Sequence, residues 1–437
     1  MLPRAALLFV LTSACACAPS WTTAPVHVAV VPCAEPAASG DTTVTGRQIA
    51  LVGDTLVVAA EASGAFLLDG KPRRCPAARG VLVLGLDRAG ATRFAWCVAS
   101  PAPFPRLAVT LDGFAIAGRT SRDARVEPPV DASAAPTPSE RAEEVAVLRF
   151  SASGAYRDRT KIHTGPGSVG ALAALPDGSL LIEGTAVHLP PERLFVEHFL
   201  VRADDAGGLV ELLPRQEQAD PGSPPVELVP RPFGGAFRVT VDGSAIVVES
   251  VSERGERAPR ARIWTGGAVV DLAAAPAAAD ELWLAWSVRL GRGEPARFQR
   301  LLARIGATGA VNERGLGRED LNVRIHGVVP LGPDRAAVLF QVWKARGERA
   351  RFAALELDAR AEISAAALVA FDVPGTEEVT LAATGDDAVG LGISGARGEA
   401  LLTGWFRGPL RAGAPVAPAP QHRCGMFVET VGIAGAR

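Results

Sequence analysis

Short apolar runs alternate with Gly- and Asp-rich turns along nearly the whole chain, the pattern of successive antiparallel strands. The clearest stretch reads Gly170-Ala-Leu-Ala-Ala-Leu-Pro-Asp-Gly-Ser-Leu-Leu-Ile-Glu-Gly184 and continues with Phe199-Leu-Val-Arg-Ala-Asp-Asp-Ala-Gly-Gly-Leu-Val210. An Asp-Gly step between two apolar runs marks a tight turn. It recurs ahead of an apolar run at Gly53-Asp54, Asp112-Gly113, Asp177-Gly178, Asp242-Gly243, Asp280, Asp334 and Asp386-Asp387, which makes seven anchors for a second strand.

A second landmark closes the hairpin between third and fourth strands. It appears as Leu86-Asp-Arg-Ala-Gly90, Phe150-Ser-Ala-Ser-Gly154, Ala203-Asp-Asp-Ala-Gly207 and Ile305-Gly-Ala-Thr-Gly309, with a degraded copy at Leu357-Asp-Ala-Arg-Ala361. The glycine suits a turn position with φ > 0. In the C-terminal half Arg-Gly-Glu recurs at Arg254, Arg292, Arg346 and Arg397, 12 residues after the anchoring Asp in the first three copies and 11 in the fourth. That register predicts a second strand followed by an exposed hairpin, with the loops on one side of neighbouring units.

Seven units of four short strands predict an all-β fold, a β-propeller. Each four-stranded sheet has two apolar faces and buries them only against its neighbours in a ring. One unit fits poorly. Only 38 residues separate Asp242 from Asp280, without a clean fourth strand, while Val226 to Val229 reads as a surplus strand. Six blades, or two β-rich domains meeting near 216–225, stay open as alternatives. The last unit shows three strands, at 379–383, 388–393 and 400–406. The unassigned apolar segments 26–31 and 426–431 would complete it from both chain ends. The aliphatic run followed by Asp/Ser-x-x-Gly resembles the β-propeller repeat families of bacterial exported proteins over roughly residues 47–410. The resemblance implies a ring scaffold for binding and names no substrate.

The first residues read as an export signal: Arg4, an apolar stretch from Ala5 to Val10, then Leu11-Thr-Ser-Ala-Cys15. The 14 uncharged residues from Ala5 to Ala18 fall short of the ~20 that a membrane-spanning helix needs. The site resembles a bacterial lipoprotein box, in which small residues precede a lipidated Cys. It departs from that pattern because Leu11 lies four residues before Cys15 instead of three. The resemblance implies lipidation at Cys15, with Cys17 as a second acceptor. Ala14-Cys-Ala16 also suits an ordinary signal peptidase, which gives a secreted protein instead. The organisation expected is therefore a signal peptide over 1–16, an N-terminal segment over 17–46, a propeller over 47–410, and a linker with a closing segment over 411–437. The lipid anchor, facing periplasm or surface from the outer membrane, is the one membrane contact expected.

Cys33, Cys75, Cys97 and Cys424 then remain, an even number in an exported chain, and two disulfides are expected. Three connectivities are possible. Cys75 and Cys97 share the first unit, and Cys33 and Cys424 lie beside the two ring-closing segments, which favours 75–97 with 33–424.

Composition narrows the function. Hydrophobic residues at 48% are ample for a large core, and 45 basic against 47 acidic residues leave no basic excess, which argues against a nucleic-acid binder. Only Lys71, Lys161 and Lys344 among those cations are lysine; the arginine excess reads as codon bias. A single Tyr156 and 5% aromatics speak against a stacking platform. No C-x-x-C or H-E-x-x-H is present, so no metal is expected, the proximity of His422 to Cys424 being a weak hint at most. Gly165-Pro-Gly-Ser-Val-Gly170 matches G-x-G-x-x-G literally, but a strand follows it where a dinucleotide site needs a helix, and no cofactor is expected.

Two surfaces could carry chemistry. His326 sits in Asn322-Val-Arg-Ile-His-Gly327, a first strand lining the channel, with Arg324 on the same face by period two. Loops between second and third strands concentrate arginine, Arg254, Arg292 and Arg346 among them, and would suit an anionic partner. The segment 125–141, rich in Pro and charge, reads as a disordered insertion. These readings favour a monomeric, non-catalytic scaffold binding a protein or an anionic surface ligand. The alternatives are a hydrolase or lyase at the channel mouth and a purely structural envelope component.

Overall fold

The computed structural model describes residues 26–32, 43–101, 105–122, 124–137, 142–188, 195–212, 216–218, 226–277, 280–290, 297–309, 311–315, 322–332, 335–343, 351–357, 363–369, 392–396, 399–406 and 425–432. Within them every regular element is a strand. After β1 (Val26–Pro32), the first sheet is a meander of β2 (Thr43–Val52), β3 (Thr55–Leu68), β4 (Lys71–Leu86) and β5 (Thr92–Ala99). The second sheet takes β6 (Arg106–Thr110) and β7 (Gly113–Ser121). It is then interrupted by β8 (Val126–Glu127) and β9 (Val130–Asp131), and resumes with β10 (Glu143–Ser151) and β11 (Tyr156–Thr164). In the third, β12 (Gly167–Ala174), β13 (Leu180–His188) and β14 (Phe195–Ala203) are edged by two short pieces, β15 (Leu209–Glu211) and β16 (Gln216–Gln218).

The fourth sheet is β17 (Val226–Pro230), β18 (Ala236–Asp242), β19 (Ala245–Val251) and β20 (Arg257–Trp264). The fifth is β21 (Ala268–Pro276), β22 (Leu282–Leu290), β23 (Arg297–Ile305) and β24 (Val311–Gly315). The sixth is β25 (Asn322–Gly332), β26 (Arg335–Trp343), β27 (Arg351–Leu357) and β28 (Ile363–Val369). The last joins the chain ends: β29 (Gly392–Ala396), β30 (Glu399–Phe406) and β31 (Gly425–Gly432), with β1 pairing antiparallel to β31 from Val26↔Thr430 to Pro32↔Gly425.

The first strands β2, β6, β12, β17, β21, β25 and β29 touch in that order, and β29 touches β2. The circle of inner strands around a channel makes the fold a β-propeller. Second strands lie between two neighbouring sheets and are buried on both faces, which is why Leu180–Ala186 and Leu282–Val288 are buried residue after residue and read as unbroken apolar runs. The core is accordingly a set of layers between sheets. Phe114, Ile116, Leu148 and Phe150 meet Val57, Val81 and Val83 between the first two, and Val31, Met426 and Val428 of the last sheet meet Leu56, Phe66 and Leu82 of the first. Inner strands carry small side chains, such as Ala171 and Ala173 in β12, where the wedges converge.

A side-chain N–H from each of four consecutive sheets reaches a turn carbonyl of the next. Trp96 Nε1 donates to Gly154 at 2.7 Å, Arg149 Nη2 to Asp204 at 2.6 Å, Arg202 Nη1 to Glu253 at 3.2 Å and Arg260 Nη1 to Ala307 at 2.5 Å. All four acceptors lie in turns between third and fourth strands. Gly154 has φ +84°, and a Cβ there would strike the Phe94 ring, so the landmark glycine is fixed by packing as well as by backbone. Arginine thus stitches sheets together, and its abundance is not codon bias alone.

Three expectations need correction. The segment 226–230 is the first strand of the fourth sheet, not a surplus one. Asp242-Gly243 therefore turns from second to third strand, and Arg254 falls in the turn from third to fourth, at the opposite end of the sheet from the expected arginine loops. The segment 124–137 is ordered: β8 pairs with β5 and β9 with β4 of the first sheet, and Thr137 N donates to Pro76 O at 2.7 Å. Its composition is rich in proline and charge, but Ala124 and Val126 pack against the layer between the first two sheets, and the first sheet's open edges pair with its backbone. In the last sheet β30 is a second strand rather than a third; 379–383 and Asp386 lie outside the described residues.

Candidate functional site

In sheets three to five the turns between first and second strands share one geometry. The amide of Leu175 donates to Ser179 O at 2.8 Å, that of Arg231 to Gly235 O at 3.0 Å and that of Ala277 to Glu281 O at 2.9 Å. In the first of these, Asp177 Oδ1 also accepts the Ser179 amide and hydroxyl at 3.0 and 2.6 Å. The turns of sheets two to five stand around one channel mouth and enclose an open hollow of about 390 Å³, walled by Val109, Leu111, Leu175, Pro176, Pro230, Pro232 and Pro276. Each proline fixes φ and removes an N–H donor, so the rim is stiff and poor in polar groups. Leu111 and Phe233, the latter next to Pro232, are each 79% exposed, and Val109 is 43% exposed.

The one cation in this wall is already met. Arg231 Nε donates to Asp280 Oδ1, and Arg260 Nη2 donates to Asp280 Oδ2 at 2.8 Å. Arg231 also lies 5.4 Å from the Phe237 ring centroid, within cation–π range. Asp280 holds this position at φ 69°, unusual for a residue with a Cβ.

Below the mouth, four inner strands slip register, three of them at matching places and the fifth sheet's two residues deeper. The extra residues are Arg47 in β2, Gly170 in β12, Val270 in β21 and His326 in β25. Bulges re-aim side chains and concentrate beside functional sites. Arg324 and His326 both belong to β25, an inner strand, and His326 is the residue at which that strand slips register. Asp271 Oδ2 accepts the Ser287 hydroxyl at 2.7 Å and the Ile325 amide at 3.3 Å, which ties the fifth sheet to the bulge of the sixth. Glu227 in β17 and Arg106 in β6 also lie on inner strands. Burial pushes the Glu227 carboxyl up, against the opposing pull of Arg106.

Away from the channel, Arg238 bridges the third and fourth sheets. Its Nε donates to Glu183 Oε2 at 2.8 Å and its Nη1 to Glu249 Oε2 at 3.1 Å, with Glu183 1% exposed. His198 Nδ1 lies 3.8 Å from Glu183 Oε1. Burial lowers the His198 imidazole, with Glu183 opposing and Arg238 reinforcing that effect. Among the described residues no group of three His, Cys, Asp or Glu is arranged to hold a metal ion.

Of the other residues singled out from sequence, Cys75 and Cys97 are joined by a disulfide, their Cα atoms 5.4 Å apart. Cys15, Cys17, Cys33, Cys424, Arg292 and Arg346 lie outside the described residues. Arg254 is exposed and stands at the same end of its sheet as the apolar mouth, so it does not share a face with the turns that follow second strands. The mouth itself was missed. Its signal in sheets three to five is an apolar-Pro step at the end of the first strand, at Leu175-Pro176, Val229-Pro230 and Ala275-Pro276.

No protein-family model matches the sequence, and no curated protein does. Among solved structures the chain is similar to prolyl oligopeptidase B from Galerina marginata, at 10% identity and TM-score 0.42, over 76% of this chain and 43% of that one. It thus spans less than half of that enzyme. A protein from Lactobacillus plantarum is similar at 12% identity and TM-score 0.40, over 79% and 94% of the two chains. The PQQ-bound aldose sugar dehydrogenase from Streptomyces coelicolor is similar at 15% identity and TM-score 0.33, over 74% and 93%. Likenesses of this order assign no activity to the chain.

Proposed function

We propose that this protein is a non-catalytic scaffold of the cell envelope, lipid-anchored through Cys15, that receives a polypeptide partner at the apolar mouth of its channel. The observation that carries this reading is the pair Leu111 and Phe233, each 79% exposed beside a proline-walled hollow. Isolated exposed apolar side chains are ordinary, but several grouped around a stiff concavity are a recognition surface. Covering them contributes about 25 cal/mol per Å² of apolar area, and the prolines reduce the ordering cost of binding. Arg254, at the same end, favours a partner with an acidic flank.

The Cys75–Cys97 bond is compatible with an exported protein, as disulfides persist in oxidising compartments. No helix among the described residues is long and apolar enough to cross a membrane.

The test is a Leu111→Asp, Phe233→Asp double variant expressed in the native host. It should keep the wild-type unfolding midpoint, because both side chains are exposed, and should lose the polypeptide that co-purifies with wild type. Retention of the same polypeptide at the same yield overturns the reading.

A further inference from the structure

Val26 and the apolar mouth stand at the same end of the ring. In the last sheet β29 turns into β30 with Ala396 opposite Glu399, the place that Val52 and Thr55 hold in the first sheet. Glu399 pairs with Gly432 of β31, and Thr430, two residues earlier on that strand, pairs with Val26. β1 therefore starts close to the level of the turns between first and second strands, and the chain that precedes it leaves from the mouth end. Cys15 lies 11 residues before Val26, a span of at most ~40 Å at full extension.

Exposed apolar side chains gather at that same end. Among the described residues nine large apolar side chains are exposed, and seven of them stand at the mouth end. Three belong to the mouth itself. The other four open fourth strands at the outer edge of the ring: Tyr156, Leu209 and Val311 each lie two residues after a landmark glycine, and Val210 follows Leu209. These four are between 37% and 55% exposed. Of the two exceptions, Val270 lies on the inner strand β21, and Trp264 stands at the far end with the Arg262 guanidinium 4.9 Å from its ring centroid. A single exposed apolar side chain is ordinary, but a one-sided gathering marks a protein or membrane contact. Spread along the outer edges of the second, third and fifth sheets, the four enclose no pocket and suit a broad, flat apolar surface.

We propose that the mouth end lies against the leaflet that holds the anchor, with Tyr156, Leu209, Val210 and Val311 resting in the lipid interface. The proposal rests on the anchor at Cys15. Apolar side chains laid into the interface add to the hold of a lipid chain, and a tyrosine suits headgroup level. With the far end against the bilayer instead, the tether would first run back along a sheet as long as β1, seven residues or about 23 Å. A polypeptide received at the mouth then approaches from the membrane side.

Quenching by doxyl-labelled lipid tests the proposal on the full-length protein, purified from the native host and reconstituted in vesicles of phosphatidylethanolamine and phosphatidylglycerol. A fluorescent amino acid is placed at position 254, an exposed turn at the mouth end, or at position 264, at the far end. Emission from 254 should fall at least twofold, and at least twice as far as emission from 264. Equal quenching at both positions, stronger quenching at 264, or quenching at neither in protein that floats with the vesicles overturns the proposal and leaves the anchor standing. Protein that does not float with the vesicles overturns the anchor and the proposal together. A Leu209→Ser, Val210→Ser, Val311→Ser variant should still float and keep the wild-type unfolding midpoint, because all three side chains are exposed. Its difference between 254 and 264 should shrink at least twofold, and an unchanged difference in the folded variant overturns the assignment of these residues. Co-purification of a polypeptide is read in detergent, without vesicles, so failure here is distinct from failure of the mouth as a docking site.

Discussion

Arg149, in the third strand of the second sheet, donates to the carbonyl of Asp204 in the third sheet at 2.6 Å and to Thr160 Oγ1 of its own sheet at 2.8 Å. Its side chain is 7% exposed. A buried guanidinium that joins two sheets in this way has no water to fall back on, and removing it strands the acceptors it served. Arg149→Met should therefore destabilise by about 2–3 kcal/mol in urea unfolding. Arg254→Gln, at an exposed turn, should stay within about 0.5 kcal/mol. Equal effects would mean that the stitches between sheets are incidental.

The Cys75–Cys97 bridge closes a loop with a sequence separation of 22 and holds two strands of the first sheet together where β8 also attaches. Loop-closure entropy for that length contributes about 3 kcal/mol. A Cys75→Ala, Cys97→Ala variant should lose roughly that amount, and wild type should lose the same on reduction. A variant as stable as wild type would contradict the bond's role.

Ring closure predicts a second bond. The last described pair between the chain ends is Pro32↔Gly425, and Cys33 and Cys424 are the next residues along each chain. Non-reducing peptide mapping should recover a 33–424 cross-link alongside 75–97. Deleting residues 26–32 should also cost at least about 2 kcal/mol, because Val31 packs at 3% exposure against the closing layer. Free thiols at both positions and an undiminished unfolding midpoint would show that the ring does not close this way.

The His198 imidazole is held below its ordinary value in the folded state, chiefly by burial. On acidification the unfolded chain therefore takes up this proton first, near pH ~6.5. Stability contributed by the neutral ring is complete above that value and falls as the pH drops towards the folded-state pKa. The difference in melting temperature between wild type and His198→Gln should shift against wild type as pH falls from 7.5 to 5. A difference that stays constant over that range contradicts it.

Turns and central strands were legible because their chemistry is local. Asp177-Gly178 and the glycine at 154 report their own backbone geometry, and unbroken runs such as Leu282–Val288 report burial on both faces. The fourth sheet was misread because its first strand is short and Asp242-Gly243, an equally good turn, sits one strand later than elsewhere. Order in 124–137 depends on strands β4 and β5, far away in sequence, and composition does not carry that information. The site was the least legible part. Leu111, Phe233 and the prolines read as loop residues until the ring gathers four turns at one mouth. His326 falls on an inner strand, as its sequence context indicates, and the register slip there emerges only from the pairing with β26.

Site-specific photocrosslinking in the native host tests the docking claim most directly. A photoreactive amino acid at position 111 or 233 should give a discrete adduct with one polypeptide partner. The same amino acid at position 264 should give none, although Trp264 is 69% exposed and lies at the opposite end of its sheet. An adduct at 264 with none at 111 or 233 would contradict the account.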